Sequence, residues 1–265
     1  KDSDGNNIQK WMGVYHNYAY VNFRTYLTFD ENGDEQWSES EPYLAQWRSI
    51  ESAYQMCEIG MFRSPDGKRI IGLARSQSHN NPATLIYSDD EGETWSKPRD
   101  ITADIPKGYE NEWKSRFASS GHGIQLKYGQ YKGRLIQQYA VRTTSNTNIA
   151  VSVYSDDHGK TWKDGNPVTE ANMDENKVVE LSDGRVMLNS RPGAAGYRRV
   201  AISEDGGAHH GPIKSETQLP DPKNTAQITR AFPNAPQASA KGRGTRSSAP
   251  GDTTEGPADR ARTRL

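Results

Sequence analysis

Cysteine is nearly absent from this 265-residue chain. Cys57 stands alone, so no disulfide can form within the chain and thiolate metal clusters are excluded. Long apolar runs are also missing: no stretch approaches the ~20 residues that a membrane-spanning helix needs. Neither charge sign dominates. With 33 basic and 34 acidic residues the net charge is −1, which supplies no basic field for nucleic acid or anionic lipid. The opening KDSDGNNIQKW has no apolar core of the kind a signal peptide carries. Apolar residues are scarce at 32 %, yet the chain has 13 Tyr and 6 Trp. That mixture suits many short amphipathic strands better than a few long helices.

What is present is a repeated turn. YSDDEGETW (87–95) returns as YSDDHGKTW (154–162), and SEDGGAHHG (203–211) is a weaker third copy. TFDENGDEQW (28–37) is weaker still, with one extra residue between Asp and Gly. β-rich runs lead into these turns: RIIGLARS (69–76), TLIYS (84–88), GIQLKY (123–128), GRLIQQYAVR (133–142), NIAVSVYS (148–155) and YRRVAIS (197–203). KVVEL (177–181) and RVMLNSR (185–191) flank Ser182-Asp183-Gly184, a tight-turn sequence. A spacing of about 50 residues predicts an all-β propeller. Within each turn the Asp can accept backbone N–H bonds, the Gly can take positive φ, and the Trp can plug the gap between sheets. Further ligands at calcium-loop spacing are lacking, so the turns are read as scaffold and no metal or cofactor is expected. The His209-His210 pair is expected to pack where Trp stands in the other copies.

The turn Ser-x-Asp-x-Gly-x-Thr-Trp resembles the Asp-box of the sialidase (neuraminidase) family of six-bladed propellers. Residues 101–236, and MDENKVVELSDGRVMLNSR (173–191) above all, resemble the middle of a bacterial exo-α-sialidase. Residues 1–100 resemble a relative within the same superfamily. The expected organisation is a partial propeller of four to five blades over 1–236, followed by a tail from 237 to 265. That tail has no aromatic residue and is expected to be disordered or aberrant.

In a blade of four up-and-down strands, the boxes close the third hairpin strand into the fourth. They therefore lie away from the face where the first strand begins and the second ends. Glu175 is expected just before a first strand and Arg191 at the end of a second, both on that opposite face. The resemblance implies sialylated glycans as substrates, with an extracellular, cell-surface or periplasmic bacterial setting. It also implies a Tyr nucleophile, because the carboxylate on the anomeric carbon of sialic acid would repel an anionic one. By resemblance Glu175 matches the residue that activates the Tyr, and Arg191 matches one of three arginines that grip the carboxylate. Glu58, Arg75, His122 and Arg142 should edge the same face by topology. The family's Arg-Ile-Pro is missing, and Glu58-Ile59-Gly60 stands in the corresponding place of the second blade. No residue matches the acid/base Asp, Arg260 and Arg262 are degraded stand-ins for the third arginine, and no Tyr follows Tyr197. The alternative to an exo-α-sialidase is a non-catalytic sialoglycan-binding propeller.

Overall fold

A computed structural model describes residues 22–24, 27–39, 41–43, 56–64, 67–76, 83–105, 109, 111–119, 122–169, 172–232, 235–237 and 262–264. At the N-terminal side, β1 (Asn22–Arg24), β2 (Leu27–Phe29), β3 (Glu35–Trp37) and β4 (Glu41–Tyr43) form two antiparallel pairs, β1 with β4 and β2 with β3. The first four-stranded sheet contains β5 (Met56–Arg63), β6 (Ile70–Ser76), β7 (Ala83–Ser88) and β8 (Arg99–Asp100). The next is built on β9 (Trp113–Ala118), β10 (Ile124–Gln125), β11 (Leu135–Thr143), β12 (Asn148–Ser155) and β13 (Lys163–Asp164). Its inner strand is broken: β9 and β10 pair with opposite halves of β11. The third sheet is β14 (Met173–Glu180), β15 (Val186–Pro192), β16 (Gly196–Ser203) and β17 (Lys214–Asp221). Finally β18 (Gln227–Thr229) pairs with β19 (Arg262–Arg264), so part of the tail forms an antiparallel ladder. Residues 1–11 and most of 238–265 lie outside the described residues.

The three meander sheets are propeller blades. Their inner strands β5, β9/β10 and β14 contact one another around a hub, and β18 contacts β14 as the start of the next blade. One apolar cluster joins the first blade to the second through Ile71, Leu73, Leu85, Val141, Val151 and Trp162. A second joins the second blade to the third through Leu126, Ile136, Ala150, Met173, Val186 and Leu188. The middle sheet is thus buried on both faces, which explains why β11 and β12 are buried along nearly their whole length.

The repeated turns do the work their residues allow. Ser155 Oγ donates to Asp157 Oδ1 at 2.8 Å and accepts from Gly159 N at 2.8 Å. Asp157 also accepts from Thr161 N and Thr161 Oγ1, while Trp162 Nε1 donates to the Gly159 carbonyl. The Ser88–Trp95 copy repeats every one of these bonds. In the third copy His209 takes the threonine's role: its amide and ring nitrogen Nδ1 both meet Asp205. His210 follows at the tryptophan's position. Gly159 has φ +84, and a Cβ there would come within 2.7 Å of Ile71 Cδ1 in the preceding blade. The turn is therefore also an inter-blade joint.

Among the described residues no helix is long and apolar enough to cross a membrane. β9 and β17 are among the strands that none of the β-rich runs in the sequence pointed to. β17 alternates little and is mostly exposed, as an outer edge strand can be.

Candidate functional site

The face opposite the boxes gathers its polar groups through an irregularity in β14. Asp174 pairs with Arg191 and Lys177 pairs with Asn189, so Glu175 and Asn176 together oppose Ser190 alone. This is a bulge, and it places Glu175 at φ +43, a left-handed conformation uncommon for a residue with a side chain. Buried neighbours hold it. Ser190 Oγ donates to Asn176 Oδ1 at 2.6 Å, Asn176 Nδ2 donates to the Tyr139 carbonyl at 3.0 Å, and Asn176 N donates to Ser119 Oγ at 3.1 Å. Glu175 N donates to Asp174 Oδ1 at 2.9 Å. Glu175 thus lies inside the strand rather than just before it, because the strand starts at Met173.

Arg191, the penultimate residue of β15, is only 13 % exposed at its side chain. Its Nη2 pairs with Asp174 Oδ2, and its Nε lies 2.6 Å from Glu175 Oε2 as an ion-pair contact without hydrogen-bond alignment. Asp174 Oδ2 also accepts from Asn148 Nδ2 at 3.3 Å, which ties the neighbouring blade to the cluster. One guanidinium is therefore clamped by two carboxylates at the mouth of the hub. Such a clamp orients the guanidinium, whose fork recognises planar oxyanions.

The remaining candidates separate. Arg142 sits near the end of β11, exposed, with Asn148 as its register partner. It lies one strand from the Asp174 cluster. Glu58 and Arg75 reproduce the backbone pattern of Glu175 and Arg191: Cys57 pairs with Arg75, Gly60 with Leu73, and Glu58-Ile59 form the bulge. Their side chains lie outside the described set. His122 departs from expectation. It stands at the joint between β9 and β10, forms a bridge with Met61, and receives a contact from Gln227 Nε2 at 2.9 Å. Ser119 meets Asn176 near the Glu175 level and Lys127 meets Glu180 at the far end of β14, so His122 falls partway down the hub. The cause is the broken inner strand, which begins at Trp113 rather than after His122. Burial lowers the His122 pKa.

Asp174, Asn148, Asn176 and Ser190 escaped the sequence reading as site residues. Asp174 is adjacent to Glu175 and could have been flagged by the Met-Asp-Glu-Asn string. Asn148 carries no local signal, since only blade packing brings it to Asp174. No group of three or more His, Cys, Asp or Glu side chains among the described residues could hold a metal ion.

A BNR repeat-like domain model matches residues 26–235. The chain belongs to the BNR repeat-like family. This BNR-repeat chain is 57 % identical over 178 residues to a sialidase of Micromonospora viridifaciens, a match covering 64 % of the chain and 27 % of that protein. It is 36 % identical over 125 residues to a Clostridium perfringens sialidase, covering 46 % of the chain and 32 % of the relative. It thus spans about a quarter to a third of the length of these relatives. Among solved structures, the Hadza microbial sialidase Hz136 superposes with TM-score 0.60 at 22 % identity, over 74 % of this chain and 41 % of that one. A Trypanosoma rangeli sialidase in complex with 2,3-difluorosialic acid gives TM-score 0.56 at 16 % identity, over 74 % and 34 %. These structural likenesses establish the propeller fold of the BNR-repeat chain.

Proposed function

We propose that this chain carries part of the active site of an exo-α-sialidase that releases terminal sialic acid from glycoconjugates. The observation that carries the reading is the Glu175–Arg191–Asp174 clamp at the hub mouth, on the face opposite the boxes. Arg191 is the anchor for the sugar carboxylate. In the unliganded protein Glu175 occupies its Nε edge, and an arriving carboxylate competes for that edge. Glu175, released, is then placed to take a proton from a phenolic nucleophile. Asp174, fixed by Asn148, keeps the guanidinium aimed during the exchange. The sialidase relatives support this reading for the part of their length that the chain spans.

A second reading, binding of sialoglycans without hydrolysis, is favoured by an Arg191 already oriented between Asp174 and Glu175. Two measurements separate the readings. Release of fluorophore from a sialoside above the level of Glu175→Gln supports hydrolysis. Calorimetric binding of sialyllactose that Arg191→Ala weakens by about 10–100-fold supports recognition by the charged fork. No release, with binding heat unchanged by Arg191→Ala, removes both.

A further inference from the structure

The joints between blades on the box face follow one plan, and one of them is open. Where the second blade meets the third, Arg134 closes the turn between β10 and β11. Its Nε and Nη2 donate to Asp156 of its own box at 2.7 and 3.2 Å. Its Nη1 donates to the carbonyls of Asp205 and Gly206 in the next box, both at 3.1 Å. The rings of Tyr131 and Tyr154 lie 4.4 and 4.3 Å from the guanidinium, and the Arg134 side chain is only 8 % exposed. Tyr131 packs so closely on Gly206 that a Cβ there would come within 2.7 Å of its ring. This joint is sealed.

Where the first blade meets the second, the same pair recurs without the lid. Arg69 Nε and Nη2 donate to Asp89 at 2.6 and 2.7 Å, and the Tyr87 ring lies 3.9 Å from the guanidinium, as Tyr154 flanks Arg134. The connection ahead of β6 is three residues shorter than that ahead of β11 (64–69 against 126–134), and it contains no aromatic residue to match Tyr131. The facing box has His158 and Lys160 where the third box has Gly206 and Ala208. A side chain at the first of these positions and a tyrosine opposite it exclude each other, as the Gly206 contact demonstrates. The outcome is a cleft of about 590 Å³ lined by Ser64, Lys68, Arg69, Asp89, His158 and Lys160. Arg69 is correspondingly 42 % exposed at its side chain.

We propose that this cleft binds a sulfated oligosaccharide segment through Lys68, His158 and Lys160, on the face opposite the Arg191 clamp. All three side chains are exposed, so a ligand in the cleft reaches them. Lys68, Arg69 and Lys160 set three cations against one lining carboxylate, Asp89, which Arg69 engages. Beside the cleft Arg63 pairs with Glu91, and Arg99 Nη2 donates to the Lys160 carbonyl at 3.0 Å. The box carboxylates Asp90 and Asp157 stand outside the lining, closed into their own turns by Thr94 and Thr161. Asp66, in the same turn as Lys68, lies outside the described residues. Because Asp89 fills the Arg69 fork, the surplus charge is presented by point-like ammonium groups, which suit a sulfate ester better than a planar carboxylate. The volume falls in the ~300–1,000 Å³ range of pockets that hold small organic ligands, more than a bare oxyanion needs. With a net charge of −1 the chain offers no long basic track for a nucleic-acid backbone, so a short anionic segment is the better fit.

The test is titration calorimetry of the whole chain with a heparin-type sulfated tetrasaccharide at about 20 mM sodium chloride, where screening is weak. A Kd on the order of 0.1–1 mM is expected. Lys68→Glu and Lys160→Glu should each weaken it about tenfold or more. Lys214→Glu, on β17 of the third blade, and Arg191→Ala should leave it unchanged. The three lysines are exposed, so their replacement leaves the core intact. Inorganic sulfate should bind at least about tenfold more weakly than the tetrasaccharide, because it fills only part of the cleft. Absence of binding heat overturns the proposal, as does affinity undiminished in Lys160→Glu or equally diminished in Lys214→Glu. So does equal affinity for the unsulfated tetrasaccharide, for inorganic sulfate or for an oligothymidylate, or binding that disappears in Arg191→Ala.

Discussion

At the scale of single residues, His210 shows how a box can decay and still fold. Trp162 in the intact copy reaches the core and satisfies its own N–H on the Gly159 carbonyl. His210 fills the equivalent position, but its Nε2 is buried without a partner. Burial pushes its pKa down to about 4 from an ordinary 6.5. The folded state therefore resists protonating a group that the unfolded chain protonates readily. Its contribution to stability is complete above pH 6.5 and is lost as pH falls toward 4. We expect urea-unfolding free energy to drop by about 1–3 kcal/mol across that window, and the drop to vanish in His210→Trp. The box aspartates titrate lower. Burial raises the Asp157 pKa, but hydrogen bonds from Thr161 and Ser155 outweigh it and hold the carboxyl at about 2. Its stabilisation is present above 3.8 and lost toward pH 2, below the histidine window. The box residues were legible in the sequence because each bond is made within a few positions of its donor. Asn148 was not, because its partner Asp174 belongs to another blade.

At the scale of the element, the bulge matters more than the strand. β14 and β5 share one register fault, and each time a Glu (Glu175 or Glu58) opens the bulge directly after the residue paired with an arginine. Alternation cannot reveal such a fault, since skipping one partner changes which face the following residues occupy. β9 went unseen for a related reason: its six residues are followed by a break rather than a turn, so Trp113–Ala118 did not read as half of a strand. The third blade contains a second hidden feature. Arg198 on β16 is fully buried at 0 % exposure, paired with Asp221 at 2.7 Å and bonded to Asn189 Oδ1 at 2.6 Å. Asp221 in turn accepts from Lys223 N and Asn224 N, which closes the turn after β17. Removing one partner leaves an uncompensated buried charge. Arg198→Met should cost about 3–5 kcal/mol in chemical unfolding, and the double change Arg198→Met with Asp221→Leu should recover a large part of it. A single variant as stable as wild type would contradict the burial of this pair.

At the scale of the whole molecule, the two apolar clusters share the middle blade and thereby set the order of stability. β11 and β12 contribute to both faces, whereas β17 is largely exposed and β18 is short. Native-state hydrogen exchange should find the amides of residues 135–141 and 149–153 protected at least on the order of 100-fold more than those of 214–219. Uniform protection across the three blades would show that the shared core does not govern opening. The same stacking explains the hub: side chains from β10, β14 and β18 meet only because three blades converge there. The all-β class, the hairpin positions and the box chemistry could be read from residue order alone, because these depend on contacts between near neighbours in the chain. A local motif also marked Glu175 and Arg191. Blade packing, by contrast, brought Asn148 to Asp174 to complete the cluster and set His122 at the joint between β9 and β10, against Met61 and Gln227. Those outcomes depend on how one blade packs against the next, across separations that no local pattern encodes.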